Sequence, residues 1–323
     1  MKKIFILLAF ITTSKFYAQQ PFQNNLNNIA LEETTSSSLK PEVSSMSNFD
    51  FKPKEIVRKN FEDHKSPYEW KWVRDGIWTG AALGASAYGL ILIQNKEHMP
   101  LAKREKFLNE VSLQNEIDKI NSIDRWAAGN HNKSANKISD IPFALSFATP
   151  FVLLLDDEIN DHTGQYLGLY LESLATTAAV YSITAGLVNR SRPYVYDNSG
   201  TTDNARRFKN NGQRSFYSGH VAATATATFF AAKAYSDFNP NGRGKTLIWI
   251  GAATLPATVG ALRIEAGQHF LTDVLLGYVL GAGTGILIPE LHKKKLENID
   301  IYPSSGTSFN GDNYNAMAVR YTF

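Results

Sequence analysis

Two histidines, His220 and His269, each stand beside groups suited to handling a phosphate-like anion. His269 is followed four residues later by Asp273, so on a helix the two share a face. A carboxylate there can accept a hydrogen bond from one ring nitrogen and leave the other as a lone-pair nucleophile. Arg263 precedes the pair and can reach the same anion. His220 closes the tripeptide Ser218-Gly219-His220, which opens an apolar run. Ser218 offers a hydroxyl and a helix cap, Gly219 lets the backbone approach an anion closely, and the amides of the first turn point at its charge. His220 can give or take a proton near neutral pH. The third cluster is Arg190-Ser191-Arg192-Pro193, where proline stops the preceding run and leaves two guanidiniums at its mouth. Each guanidinium is a fork of donors that matches phosphate oxygens. Any one cluster alone is an ordinary helix end. Together they form a set for nucleophilic and proton-transfer chemistry on an anion.

The elements that must position these clusters are six apolar stretches, at residues 77–94, 141–155, 166–188, 221–232, 246–262 and 274–289. They are rich in Ala, Leu and Gly, and all read as helices. Only 77–94 comfortably meets the length of a bilayer span. The third stretch carries Glu172, the fourth stops at Lys233, and the second contains Pro142 and Pro150. Runs this short are also what a buried helical core looks like. The expected class is all-α, a six-helix bundle. A charged segment, 96–137, lies between the first two stretches and carries a helix of its own around 101–123.

Taken in order, Arg192-Pro193, Ser218-Gly219-His220 and Arg263…His269…Asp273 resemble the three-part signature of the PAP2 (phosphatidic acid phosphatase type 2) superfamily, which also takes in class A acid phosphatases and vanadium haloperoxidases. The resemblance covers roughly residues 141–289 and implies a bundle of that type. It implies that His269 attacks phosphorus to form a phosphohistidine and that Asp273 orients His269. It implies that His220 protonates the leaving oxygen and then activates water. Arg192, Arg263, Ser218 and the Gly219 amide would hold the phosphoryl oxygens. No metal and no cofactor enter this scheme; vanadate would enter only in a haloperoxidase. The chain departs from the signature at three positions. Ala185 stands where the family has a lysine, Tyr217 replaces a proline and Leu262 replaces a serine. Arg190 is the candidate to supply the missing charge.

The ends differ in character. Residues 1–18 read as a secretory signal peptide: Met1-Lys2-Lys3, an apolar run at 4–12 too short to span a bilayer, and a cleavage point at Ala18. Residues 19–52 are rich in Asn, Ser, Thr and Gln and read as a disordered linker. The phosphatase domain is expected over 53–296. Its first part, 53–75, is basic and aromatic, with Trp70 and Trp72 and then Trp78 close behind. That pattern fits a membrane interface or an amphipathic helix capping a core. Residues 297–323 alternate polar and apolar side chains around turn residues and read as a short C-terminal β-hairpin.

The three lysines of residues 1–18 account for the net charge of +3; the rest balances at 30 basic against 30 acidic residues. Charge therefore points to no nucleic-acid partner. The chain has no cysteine, which excludes disulfides, thiolate metal sites and cysteine nucleophiles. His64, His98, His131, His162 and His292 fall in polar surroundings and are expected to be solvated, and Glu265 is expected to pair with an arginine. The reading is an exported, membrane-associated phosphatase facing the periplasm, acting on a phosphomonoester or a lipid (pyro)phosphate. The alternatives are a vanadium-dependent haloperoxidase, which Ala185 disfavours because that lysine is a main vanadate ligand, and an inactive phosphate or lipid-head-group binding protein.

Overall fold

The computed structural model describes residues 66–294, 299–307 and 313–321. The signal peptide expected over 1–18 and the linker expected over 19–52 lie outside these residues, as do 53–65 with His64. Five long helices make the frame: α1 (Trp72–Gln94), α2 (Thr163–Leu187), α3 (Gly219–Phe238), α4 (Lys245–Glu265) and α5 (Leu271–Leu291). Each grows from one of the apolar stretches, lengthened by flanking turns that complete its backbone hydrogen bonds.

The expectation of six helices is corrected at the stretch 141–155. It divides into short helices at Asp140–Ser146 and Thr149–Val152 and a 3-10 turn at Leu153–Leu155. Pro150, in the first turn of the second piece, has no amide to continue the helix before it. The helix expected around 101–123 also divides, into Leu101–Leu108 and Glu110–Asp118. Asn109 is extended between them, and its side chain caps the second by accepting from the Ser112 amide. The C-terminal hairpin is corrected as a part of the fold. Residues Ile299–Thr307 and Asn313–Tyr321 run antiparallel to each other. Among the described residues no helix packs substantially against them, so the class is all-α.

α3 and α5 pack with their backbones in contact. Gly277, Gly281 and Gly285 recur every four residues on α5 and face Ser218, Ala222 and Thr226 of α3. A Cβ on Gly281 would come within 2.1 Å of the Ala222 carbonyl oxygen, so any side chain there would push the helices apart. Thr226 Oγ1 also donates to the Gly281 carbonyl at 3.1 Å. This stripe sets the first turns of α3 and α5 side by side, where the Ser218 amide donates to the Asp273 carbonyl at 3.1 Å. At the opposite end Tyr68, Tyr166, Tyr170, Phe230 and Ile288 form the main aromatic core.

Among the described residues four segments are long and apolar enough to cross a membrane: α1, Lys133–Leu155, α4 and α5. That is more than the single span read from the sequence, because the flanking turns lengthen α4 and α5 to 21 residues each. Their outer faces expose Ile77, Leu90, Leu247, Ile250, Val279 and Leu287. Apolar faces of this extent mark a membrane-associated protein. Trp72 and Trp78 are exposed at the start of α1, where rings with one polar edge suit the lipid–water boundary.

Candidate active site

The chain leaving α2 runs beside residues 212–215. The Arg190 amide donates to Gln213 O at 3.0 Å, and the Arg192 amide to Gly212 O at 2.8 Å. With the first turn of α3, the last turn of α4 and the turn before α5 it borders a cavity of about 530 Å³ lined by Arg192, Arg263, His220 and His269, together with Tyr181, Asp140, Arg206 and Arg214. Two of the three guanidiniums and both histidines singled out from the sequence thus meet, although 77 residues of chain separate Arg192 from His269.

The donors are arranged for an anion. Arg192 and Arg263 are buried, and Nε of each makes no hydrogen bond. Arg192 uses one terminal nitrogen on Gln268 Oε1, and Arg263 donates to Asn136 Oδ1 at 3.1 Å. The Ser218 hydroxyl is also buried without a partner and does not make the helix cap expected of it. An unsatisfied buried polar group costs about 1–3 kcal/mol. Three of them at one end of the bundle match the demand of phosphoryl oxygens. Gly219 is required by a close approach: a Cβ there would lie 2.6 Å from the Tyr181 ring.

His269 is 2% exposed, and its Nδ1 lies 2.6 Å from the Ser215 carbonyl. A carbonyl can only accept, so Nδ1 carries the hydrogen and Nε2 keeps the lone pair. The partner expected for this ring was Asp273, and the structure differs there. Helix α5 begins at Leu271 after the N-cap Phe270, so His269 precedes the helix and does not share its face with Asp273. Asp273 instead accepts from Ser215 Oγ at 2.6 Å, from the Phe270 amide at 3.0 Å and from Arg190. It reaches His269 through Ser215, whose hydroxyl it holds while the Ser215 carbonyl holds the ring.

Arg190 does not line the cavity. Its guanidinium is ion-paired with Asp273 and, at 2.6 Å, with Asp124, which in turn accepts from the Thr272 amide. Ala185, at the position of the family lysine, is buried in the last turns of α2. Its carbonyl accepts from Lys96 Nζ at 2.9 Å, and Val188 O accepts from the same ammonium at 2.6 Å. Burial, with Arg214 adding repulsion, pulls the Lys96 ammonium down to about 8.

His220 lies against the Phe143 ring, 4.2 Å between centroids, with Nε2 3.5 Å from Asp140 Oδ1. Burial, and then the charges of Arg263 and Arg192, pull its pKa from 6.5 to about 3. Burial and the same two guanidiniums hold His269 well below the ordinary histidine range. Both rings are therefore neutral near pH 7, so a nucleophile at His269 would have its lone pair and an acid at His220 would lack its proton. A bound dianion cancels the guanidinium field and raises His220, so anion binding takes up a proton. The sign follows: affinity rises as pH falls between the bound-state pKa and about 3, the free-state value. Titrating the protein with sulfate, whose own charge is constant over this range, should show that dependence, and His220→Gln should remove it. A sulfate affinity independent of pH from 7 to 4, as read by calorimetry, would sink this assignment.

Several residues of the site escaped the sequence reading. Asp124, Asp140 and Lys96 sit far from the motifs in the chain, and only folding brings them near; Ser215, three residues before Ser218, carried no signal of its own. Arg206 and Arg214 had a signal: four basic residues, Arg206, Arg207, Lys209 and Arg214, crowd the loop between the first two motifs. Of the histidines expected to be solvated, His292 is buried and stacks on Trp70, 6.1 Å between centroids. Glu265 accepts from Asn132 Nδ2 and not from an arginine.

Residues 166–297 match the family model of the PAP2 superfamily, and all three motifs lie within them, so the resemblance read from the motifs holds. No curated protein matches the chain. Among solved structures, the first transmembrane PAP2-type phosphatidylglycerolphosphate phosphatase, from Bacillus subtilis, is similar at 22% identity, over 65% of this chain and 94% of that one, with a TM-score of 0.39.

Proposed function

We propose that this chain is a phosphatase that hydrolyses a lipid phosphate through a phosphohistidine. The observation that carries the reading is the convergence of two buried guanidiniums and two neutral histidines on one polar cavity, in a bundle of membrane-length helices. Nε2 of His269 attacks phosphorus as the bond to the leaving oxygen breaks, and His220 gives that oxygen its proton. Water then attacks the phosphohistidine, His220 takes its proton, and inorganic phosphate leaves. Arg192, Arg263, Ser218 and the Gly219 amide hold the phosphoryl oxygens as charge builds. Asp273 acts through Ser215, and Arg190, itself held by Asp124, keeps Asp273 in place and opposes the burial that raises its pKa. The guanidiniums meet the anionic charge, so the mechanism calls for no metal ion.

A lipid substrate is favoured because the helices that carry the site also carry outward apolar faces. We place the protein at a membrane with its cavity on the periplasmic side, following the exported N-terminus expected from residues 1–18. The test is phosphate release by detergent-purified protein in the presence of a chelator. The substrates are p-nitrophenyl phosphate, phosphatidic acid and a polyprenyl pyrophosphate. Release from at least one lipid, faster than from p-nitrophenyl phosphate, is expected. Phosphate binding without release from any of them would replace the enzyme reading with that of a head-group binding protein.

A further inference from the structure

A second cluster of chemistry-bearing side chains lies at the other end of the bundle. Asp75 from the first turn of α1, Glu172 from α2 and His292, which follows α5, each offer a ligand atom, and these atoms lie within 4.8 Å of one another. All three side chains are buried; Glu172 is 3% exposed. The 21 residues of α5 separate this cluster from His269, about 30 Å of helix at 1.5 Å per residue.

Hydrogen bonds show which atoms face inward. His292 Nδ1 donates to the Ile288 carbonyl at 2.8 Å, so the neutral ring has its lone pair on Nε2. That nitrogen lies 3.2 Å from Asp75 Oδ1 and 3.6 Å from Glu172 Oε2. Neither His292 Nε2 nor Glu172 Oε2 makes a hydrogen bond. Two unpartnered lone-pair atoms thus converge in buried space beside Asp75 Oδ1, which also accepts from Arg74 Nε, and facing lone pairs of this kind are costly without a cation between them. The outer contacts also hold them in place. Asp75 accepts from the Lys71 amide at 2.6 Å and from Arg74, and Trp70 stacks on the His292 ring. Partners of this kind orient metal ligands and fix the histidine tautomer. A cavity of about 320 Å³, bordered by Arg74, Trp78 and Leu291 as well as the three donors, leaves room for water to complete a coordination sphere.

We infer that Asp75, Glu172 and His292 form a binding site for one divalent transition-metal ion. Two carboxylate oxygens and one imidazole nitrogen suit Zn²⁺, Co²⁺, Fe²⁺ or Mn²⁺, with Zn²⁺ and Co²⁺ held more tightly than Mn²⁺. The ion ties the start of α1 to α2 and to the end of α5. It is a clamp on the bundle, separate from the phosphate chemistry.

The experiment uses full-length protein in detergent, stripped with a chelator and titrated with Co²⁺ under visible absorption, then with Zn²⁺ as competitor. Saturation at one Co²⁺ per chain, intense low-symmetry bands and displacement by Zn²⁺ are expected, with a rise in melting temperature. Glu172→Gln keeps the shape and removes the charge, and it should weaken binding at least about tenfold. His292→Ala should do the same, whereas His220→Gln at the other end should leave the Co²⁺ spectrum and affinity unchanged. Absence of saturable binding, or a spectrum like that of the aqueous ion, would overturn the inference on the unaltered protein alone. Binding that persists unchanged in both Glu172→Gln and His292→Ala would place the ion elsewhere and overturn it as well.

Discussion

Alanine in place of His269 is expected to abolish phosphate release, with turnover falling by ~10⁴-fold or more while the protein stays folded. The ring is buried, its Nδ1 is committed to the Ser215 carbonyl, and no other neutral nitrogen among the described cavity residues except His220 could attack phosphorus. Removing the ring takes away the bond-forming atom, whereas the guanidiniums that bind the anion remain. Binding of sulfate should therefore survive the substitution, which separates a lost nucleophile from a collapsed site. The native protein, quenched in turnover with a labelled substrate, should carry an acid-labile phosphate, and His269→Ala should carry none. A variant that keeps more than a tenth of the activity, or that still traps label, would remove His269 from the nucleophile's role.

Replacing His220 by glutamine is expected to act differently on different substrates. Protonation of the leaving oxygen by a placed acid contributes about 10²–10⁴-fold, and it matters most when that oxygen leaves as a basic alkoxide. Hydrolysis of an alkyl or lipid phosphate should fall by that factor. p-Nitrophenolate leaves without help, so the first step on p-nitrophenyl phosphate should persist. The second step still lacks its base, so the variant should release one equivalent of nitrophenol in a burst and then stall as the phosphoenzyme. Stopped-flow absorbance reads this directly. Equal losses on both substrates with no burst would mean that His220 binds the phosphate and moves no proton.

Much of the site could be read from residue types and spacing. Arg192-Pro193, Ser218-Gly219-His220 and the Arg263–His269 pair are local patterns, each set by a few neighbouring residues at a helix end, and each lines or borders the cavity. Two roles drawn from spacing did not carry over. A spacing of four puts His269 and Asp273 on one helical face, but the N-cap falls at Phe270 and leaves His269 in the preceding turn. The position of Arg190 beside Arg192 points it at phosphate, but Asp124, 66 residues earlier, and Asp273 claim its guanidinium. The helical class was legible from the apolar stretches. The number of helices was not, because Pro150 and Asn109 break segments whose composition alone reads as continuous.

The sequence by itself determined where apolar helical segments can form and which short clusters can bind phosphate or move a proton. These follow from interactions within a few residues: helical hydrogen bonds, the missing amide of proline, and the donors of arginine and histidine. Only the tertiary structure decided the ring tautomer of His269, the relay from Asp273 through Ser215, and the meeting of Asp75, Glu172 and His292. Each of these depends on backbone approach between distant helices, above all the glycine stripe that seats α5 against α3. Such packing is set by the summed fit of whole helix faces, which no local pattern of residues encodes.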